Sequence, residues 1–198
     1  MTWLTLAILA GLILLQPEIR ALIYRLRYPS SIRFLRRIPS TEVTDEIVDA
    51  VDRLSRAGHG AILAIEQGGS LDAYMDRGTE LQANVSSDLL VTVFTPYTPL
   101  HDGAVLIRDG VVLAAGCILP LSQAVFTDRM LGTRHRAAVG LSEATDALII
   151  VVSEESAAIS VAFKGQLFRS LSTLELRDML SGQMPRRTTD YAAVNVSG

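Results

Sequence analysis

A single cysteine, Cys117, stands among 198 residues. It lies in the apolar run VVLAAGCILP, so a disulfide framework is excluded and a reducing compartment is the simpler setting. The chain has no Gly-x4-Gly-Lys-Ser/Thr loop, no Gly-x-Gly-x-x-Gly opening a helix and no Gly-x-Ser-x-Gly elbow. Those absences remove the standard phosphate-loop, dinucleotide and serine-hydrolase signatures. Neither a His-x-x-x-His pair nor a second cysteine is available for a structural zinc. Positive charge is scarce outside the amino-terminal region. Residues 1–40 carry six arginines against Glu18, a sum of +5, and the remainder sums to −8, giving the net −3. A body so acidic has no broad basic face for nucleic acid, so any polyanion must be held by a local cluster or through a metal.

Long apolar runs are also lacking. The longest uncharged one at the amino terminus, Trp3 to Leu15, has thirteen residues, short of the roughly 20 a bilayer span needs. No basic residue precedes it and no small-x-small site follows, which argues against a secretory signal. Beyond Pro17, Ile19, Leu22, Ile23 and Leu26 share one helical face. A helix running from Met1 to about Ile23 through a kink at Pro17 would reach across a membrane, with Arg20, Arg25 and Arg27 among the headgroups. Six arginines directly after the apolar run predict a main body on the cytoplasmic side. The alternative is a buried core helix.

What is present, at 49% hydrophobic residues, suffices for a substantial core. The expected organisation is a membrane or interfacial helix over 1–27, a linker over 28–40, a main globular domain over 41–182 and a flexible tail over 183–198. Val43, Ile47, Val51 and Leu54 recur at helical spacing after Ser40 or Thr41 as cap, and Gly58 supplies the stop. AILAIE (61–66) and ALIIVVSEE (147–155) read as buried strands. The stretch 86–122 reads as two or three more, VTVF and AVLI among them, with RDG (108–110) as a hairpin turn. AISVAFKGQLFRSL reads as a second hairpin turning at Lys164-Gly165, and 172–182 as a short helix capped by Ser172 or Thr173. The fold class expected is α/β, one domain with a mixed central sheet flanked by helices.

Three polar clusters lie at strand ends. His101-Asp102-Gly103-Ala104 is either a plain turn or a presented carboxylate and imidazole able to bind a metal or polarise a hydroxyl, with Gly103 letting a ligand approach the backbone. Gly132-Thr133-Arg134-His135-Arg136 opens a helix with Thr133 near the cap. Two arginines there oppose the helix dipole by roughly 0.3–1 kcal/mol and require an anion. Glu143 or Asp128 would serve, as would a polyphosphate. Ser153-Glu154-Glu155 is either a solvated turn or a ligand-bearing strand end.

The strings TPLHDGAVLI, AAGCILPLS, LGTRHRAAVGLSEATDALIIVVSEE and ISVAFKGQL, in this order over most of residues 60–170, resemble the diadenylate cyclase family, which condenses two ATP into cyclic di-AMP. LILLQPEIRALI is similar to the end of the last of three membrane helices in that family's membrane-anchored branch. A chain with one such helix is then a short single-span form or a truncated one. The resemblance implies that Asp102 and Gly103 contact the ribose and reacting centre, Asp102 being most tied to activity, with Arg134 as the third catalytic residue. It implies ATP binding by Ala104, Leu119, Thr133, Arg134, His135, Arg136, Ser153 and Glu154. Thr133, Arg134 and His135 would grip the triphosphate, Arg136 would support the loop, and Leu119 would lie against adenine, where Ile118 departs from a frequent tyrosine. His101 is the implied ligand of a divalent metal, Mn2+ or Mg2+, with Co2+ as a further option. ATP is the implied substrate and a homodimer the implied catalytic unit. Membrane lipid and regulatory membrane proteins are the other partners, and nucleic acid is not one. The competing readings are a membrane-attached nucleotide sensor without turnover and a purely structural membrane-proximal domain.

Overall fold

Ser40 accepts a hydrogen bond from the Val43 N–H at 3.3 Å, and Thr41–Ala57 follow as α1. Ile47, Val51 and Leu54 form its buried stripe, and Gly58 ends it at φ 68°, the left-handed conformation that suits glycine. This computed structural model describes residues 39–124 and 131–183, all within one compact unit. The expected helix over 1–27, the linker as far as 38 and the tail beyond 183 lie outside the described residues. Among those described, no helix is long and apolar enough to cross a membrane.

Seven strands build one sheet. They are β1 Ala61–Ile65, β2 Thr79–Asn84, β3 Ala104–Arg108, β4 Val111–Cys117, β5 Leu148–Val152, β6 Ile159–Phe163 and β7 Gln166–Phe168, in the order β2-β4-β3-β1-β5-β6-β7. β1 and β3 run parallel and the other neighbours antiparallel, which makes the sheet mixed, as expected. The remaining α-helices among the described residues are α2 Ser87–Phe94, α3 Thr133–Ala144 and α4 Thr173–Leu180.

The central strands are apolar on both faces because both are covered. Leu63, Val105, Ile107, Ile150 and Val152 join α1, α2 and α4 in one core. Ile62, Ala64, Leu106, Ile149 and Val151 join Ala138, Val139 and Leu141 of α3 in the other. Alternate residues of each strand thus serve opposite cores, the period-2 rule applied to a sheet with two dry sides. Both hairpins form at the expected dipeptides. Asp109 and Gly110 have φ 49° and 79°, Lys164 and Gly165 have 51° and 74°, the two left-handed residues that match strand twist. Ser172 caps α4 in a reciprocal capping box with Glu175.

Two elements differ from expectation. VTVF is the second half of helix α2, not a strand. The Ser86 hydroxyl accepts from Leu89 N at 3.2 Å, and Leu90, Val93 and Phe94 are buried. Arg53 of α1 then bonds Ser87 and Asp88 across the helix pair. Cap and tertiary packing override the β-branched composition. β2 has no apolar period to betray it. TELQAN is a largely exposed edge strand, bulged between Glu80 and Ala83 with Gln82 at φ 49°.

Cys117 ends β4 buried, and burial pushes its thiol up to about 11. Thiolate is the nucleophile, so Cys117 is expected to resist thiol-reactive dyes at pH 8 and to react once the chain is unfolded. Stoichiometric labelling of the native protein within minutes would contradict this.

Candidate active site

Strand register brings the three clusters to one end of the sheet. β1 pairs Ala61 with Val152 of antiparallel β5 and Leu63 with Val105 of parallel β3. The amino ends of β1 and β3 therefore lie level with the carboxyl end of β5. Asp102-Gly103 precedes β3, Ser153-Glu154 follows β5, and Ala104 pairs with Cys117 at the close of β4, just before Ile118 and Leu119. Because β5 is reversed, a single row of strand tips carries residues far apart in the chain.

The second and third clusters share a cleft of about 330 Å³, lined by Gly132, Thr133, Arg134, His135, Val152, Ser153, Glu154 and Glu155. Gly132, not Thr133, is the cap of α3, and it supplies no side-chain acceptor. The Gly132 carbonyl accepts from His135 and Arg136, while the Thr133 and Arg134 N–H groups have no acceptor among the described residues. Amide donors and the positive helix end thus face the cleft. The anion that Arg134 requires is supplied internally. Its Nη1 lies 2.7 Å from Glu154 Oε2, with Arg134 25% and Glu154 61% exposed. Glu143 instead accepts from the Ser122 hydroxyl at 2.8 Å. A pair this open to water contributes little, roughly 0–1 kcal/mol, so another anion can exchange for the carboxylate. His135 reaches the cleft from a largely buried position.

Ser153 opens a tight turn, its carbonyl accepting from Ala157 N at 3.0 Å and its hydroxyl from Ser156 N at 3.3 Å. The turn is tied to α1 by the Ser55 hydroxyl on the Ala157 carbonyl at 2.6 Å. Glu154 and Glu155 project from it, exposed. Turn and cleft wall are therefore the same residues.

Asp102 is exposed and Ala104 buried, and neither lines that cleft. Gly103 has φ +131°, and a Cβ there would lie 2.5 Å from the Gly116 carbonyl carbon. The close approach seen at this glycine comes from β4. His101 is anchored from behind. Its Nδ1 sits 2.6 Å from the Thr98 carbonyl, which can only accept, so Nδ1 is the donor and Nε2 is the ring nitrogen that could ligate a metal. Among the described residues no three His, Cys, Asp or Glu side chains gather as a metal cage.

Arg136 turns away from the cleft to the loop after β4, donating to the Ser122 carbonyl at 3.4 Å while Ser122 N donates to the Arg136 carbonyl at 3.0 Å. Gly140 lets this loop lie on α3, since a Cβ there would come 2.3 Å from the Pro120 carbonyl oxygen. Leu119 on the loop is 8% exposed and Ile118 59%. Of the cleft's lining only Val152 lies outside the three polar clusters, while Gly132 and Glu155 belong to them with no individual role assigned.

The family described as DisA bacterial checkpoint controller nucleotide-binding matches residues 48–167. The cyclic di-AMP synthase CdaA of Bacillus subtilis is 41% identical over 97% of this chain and 70% of its own length. A diadenylate cyclase of Listeria monocytogenes is 40% identical over 89% of this chain and 66% of its own. The chain thus spans about two thirds of the length of these relatives. A crystal structure of a DacA double mutant from Staphylococcus aureus superposes with a TM-score of 0.70 at 39% identity, covering 72% of this chain and 95% of that one. A hypothetical membrane spanning protein from Bacillus cereus gives 0.65 at 42% identity, covering 70% and 67%.

Proposed function

The chain belongs to the diadenylate cyclase family of nucleotidyltransferases, and we propose that it condenses two ATP into cyclic di-AMP with release of two pyrophosphates. The observation that carries this reading is the shared cleft, where helix amides, Arg134 and His135 meet Ser153 and Glu154. It suits a triphosphate, and the reaction needs no protein nucleophile. The 3′-hydroxyl oxygen of one ATP forms a bond to the α-phosphorus of the other as the bond to pyrophosphate breaks, and the exchange happens twice. Charge neutralisation and positioning are the protein's contribution.

In this scheme the Thr133 and Arg134 amides and the Arg134 guanidinium hold phosphate oxygens, and Ser153 and Glu154 bound the same chain of phosphates. Leu119, two residues past the Cys117 partner of Ala104 and only 8% exposed, would meet adenine through its backbone. Asp102, exposed at the neighbouring strand tip, orients the 3′-hydroxyl and takes up its proton. His101 would hold a divalent ion, Mn2+, Mg2+ or Co2+, whose chemistry there would be neutralisation of phosphate charge. A domain holding one ATP makes half of the product, so two copies must face each other and the active unit is a homodimer. Membrane attachment through residues 1–27, with the domain on the cytoplasmic side and open to regulatory membrane proteins, completes the proposal. The thirteen-residue apolar run Trp3 to Leu15, followed by six arginines, supports it.

Incubation of the purified chain with ATP and Mn2+ is expected to yield cyclic di-AMP, seen by chromatography, and one pyrophosphate per ATP consumed. Tight ATP binding with no product across metals and concentrations would replace this reading with a nucleotide sensor.

A further inference from the structure

Gly58 and Gly60 are two residues apart and are glycines for different reasons. Gly58 is left-handed, and a Cβ there would meet nothing within 4 Å. Gly60 lies outside the left-handed region, so its backbone would accept any residue. Space is what it lacks. A Cβ on Gly60 would come 2.7 Å from Arg134 Nη1, 2.8 Å from Arg134 Cζ and 3.1 Å from Glu154 Cβ. The guanidinium therefore lies directly against the backbone at the entrance to β1, wedged between the strand tip and the Glu154 turn.

We propose that Gly60 is a positioning residue: its missing side chain is the seat that holds the Arg134 guanidinium at the cleft wall before a triphosphate arrives. The inference rests on the reading of the cleft as a triphosphate site and adds to it a residue outside the three polar clusters. An arginine in solution samples many rotamers, and a cation already immobilised at its point of use loses less freedom on binding. The atoms that an added methyl would strike are the far end of a flexible side chain, so Gly60→Ala can be accommodated by moving Arg134 and leaving the sheet intact. Its cost falls on anion binding, not on folding.

Inorganic tripolyphosphate, titrated calorimetrically into the full chain, reads the seat without requiring turnover. Gly60→Ala is expected to weaken binding about tenfold, the size of one lost charge-assisted hydrogen bond. In an Arg134→Ala background the same change should have no further effect, because the group it displaces is gone. Gly58→Ala is the control: it should lower the melting temperature and leave tripolyphosphate affinity alone. Wild-type affinity in Gly60→Ala overturns the seat, as does an equal loss with and without Arg134, or a wild type that does not bind tripolyphosphate. Cyclic di-AMP formation by the same samples judges the reaction separately. A wild type that binds in this Gly60-dependent manner and makes no product overturns the cyclase reading and sustains the seat.

Discussion

Asp102→Asn is expected to lower cyclic di-AMP formation by about 10²–10⁴-fold, the range associated with loss of a positioned general base, while ATP remains bound. The substitution keeps shape and hydrogen-bonding reach and removes the negative charge that receives the hydroxyl proton. Binding should survive because the phosphate cleft is built from other elements, the start of α3 and the end of β5. Asp102 is exposed, so the exchange leaves no buried group unpaired and the melting temperature should not move. Product formation and nucleotide binding measured on one preparation separate these effects. Activity within tenfold of wild type would remove Asp102 from the reaction, and loss of ATP binding would reassign it to the binding site.

The largest effect on stability is expected at the opposite end of the same strands. Arg108 closes β3 with a bidentate grip on Glu66, Nε to Oε1 at 2.8 Å and Nη2 to Oε2 at 2.7 Å. Nη2 also donates to Asp72 at 2.6 Å and Ser70 at 3.1 Å, and Leu71 N donates to Glu66 at 2.9 Å. The Glu66 side chain is only 4% exposed. Glu66 first and Asp72 second hold the Arg108 guanidinium above its usual range. Arg108→Leu would strand the buried carboxylate without its cation, which costs about 3–5 kcal/mol. The double variant with Glu66→Leu should recover much of that, since the uncompensated charge is then gone. Asp72→Ala should cost far less, because Asp72 is 65% exposed. Urea denaturation of the four proteins checks the ordering, and a loss below about 1 kcal/mol for Arg108→Leu would show that Glu66 does not depend on this arginine.

The largest gap in what the sequence disclosed concerns α2 and β2. DLLVTVF is as apolar and β-branched as the true strands, and only its Ser86 cap marks it as helical. β2 is polar and lies at the sheet's edge, where a strand has one neighbour and no core face to impose alternation. The site was legible in parts. The clusters at 101–104, 132–136 and 153–155 could each be picked out, and each had an ordinary structural explanation beside it. The anion demanded by the arginines at the start of α3 could be inferred from the helix dipole, but not that Glu154 supplies it in this structure. Gly60 had no local signal whatever, following a helix stop as any turn glycine would.

The sequence by itself determined the capped helices α1 and α4, the two left-handed hairpin turns and the strands buried on both faces. Those follow from interactions among residues a few positions apart, which the order of amino acids states directly. Only the tertiary structure decided that β5 runs against β1 while β3 runs with it. That choice levels Gly60, Asp102 and Ser153 at one sheet end, lays Arg134 on the backbone of β1, and sets Gly103 against Gly116. Such contacts join residues 13 to more than 90 positions apart, and strand register, a property of the packed sheet as a whole, is what brings them together.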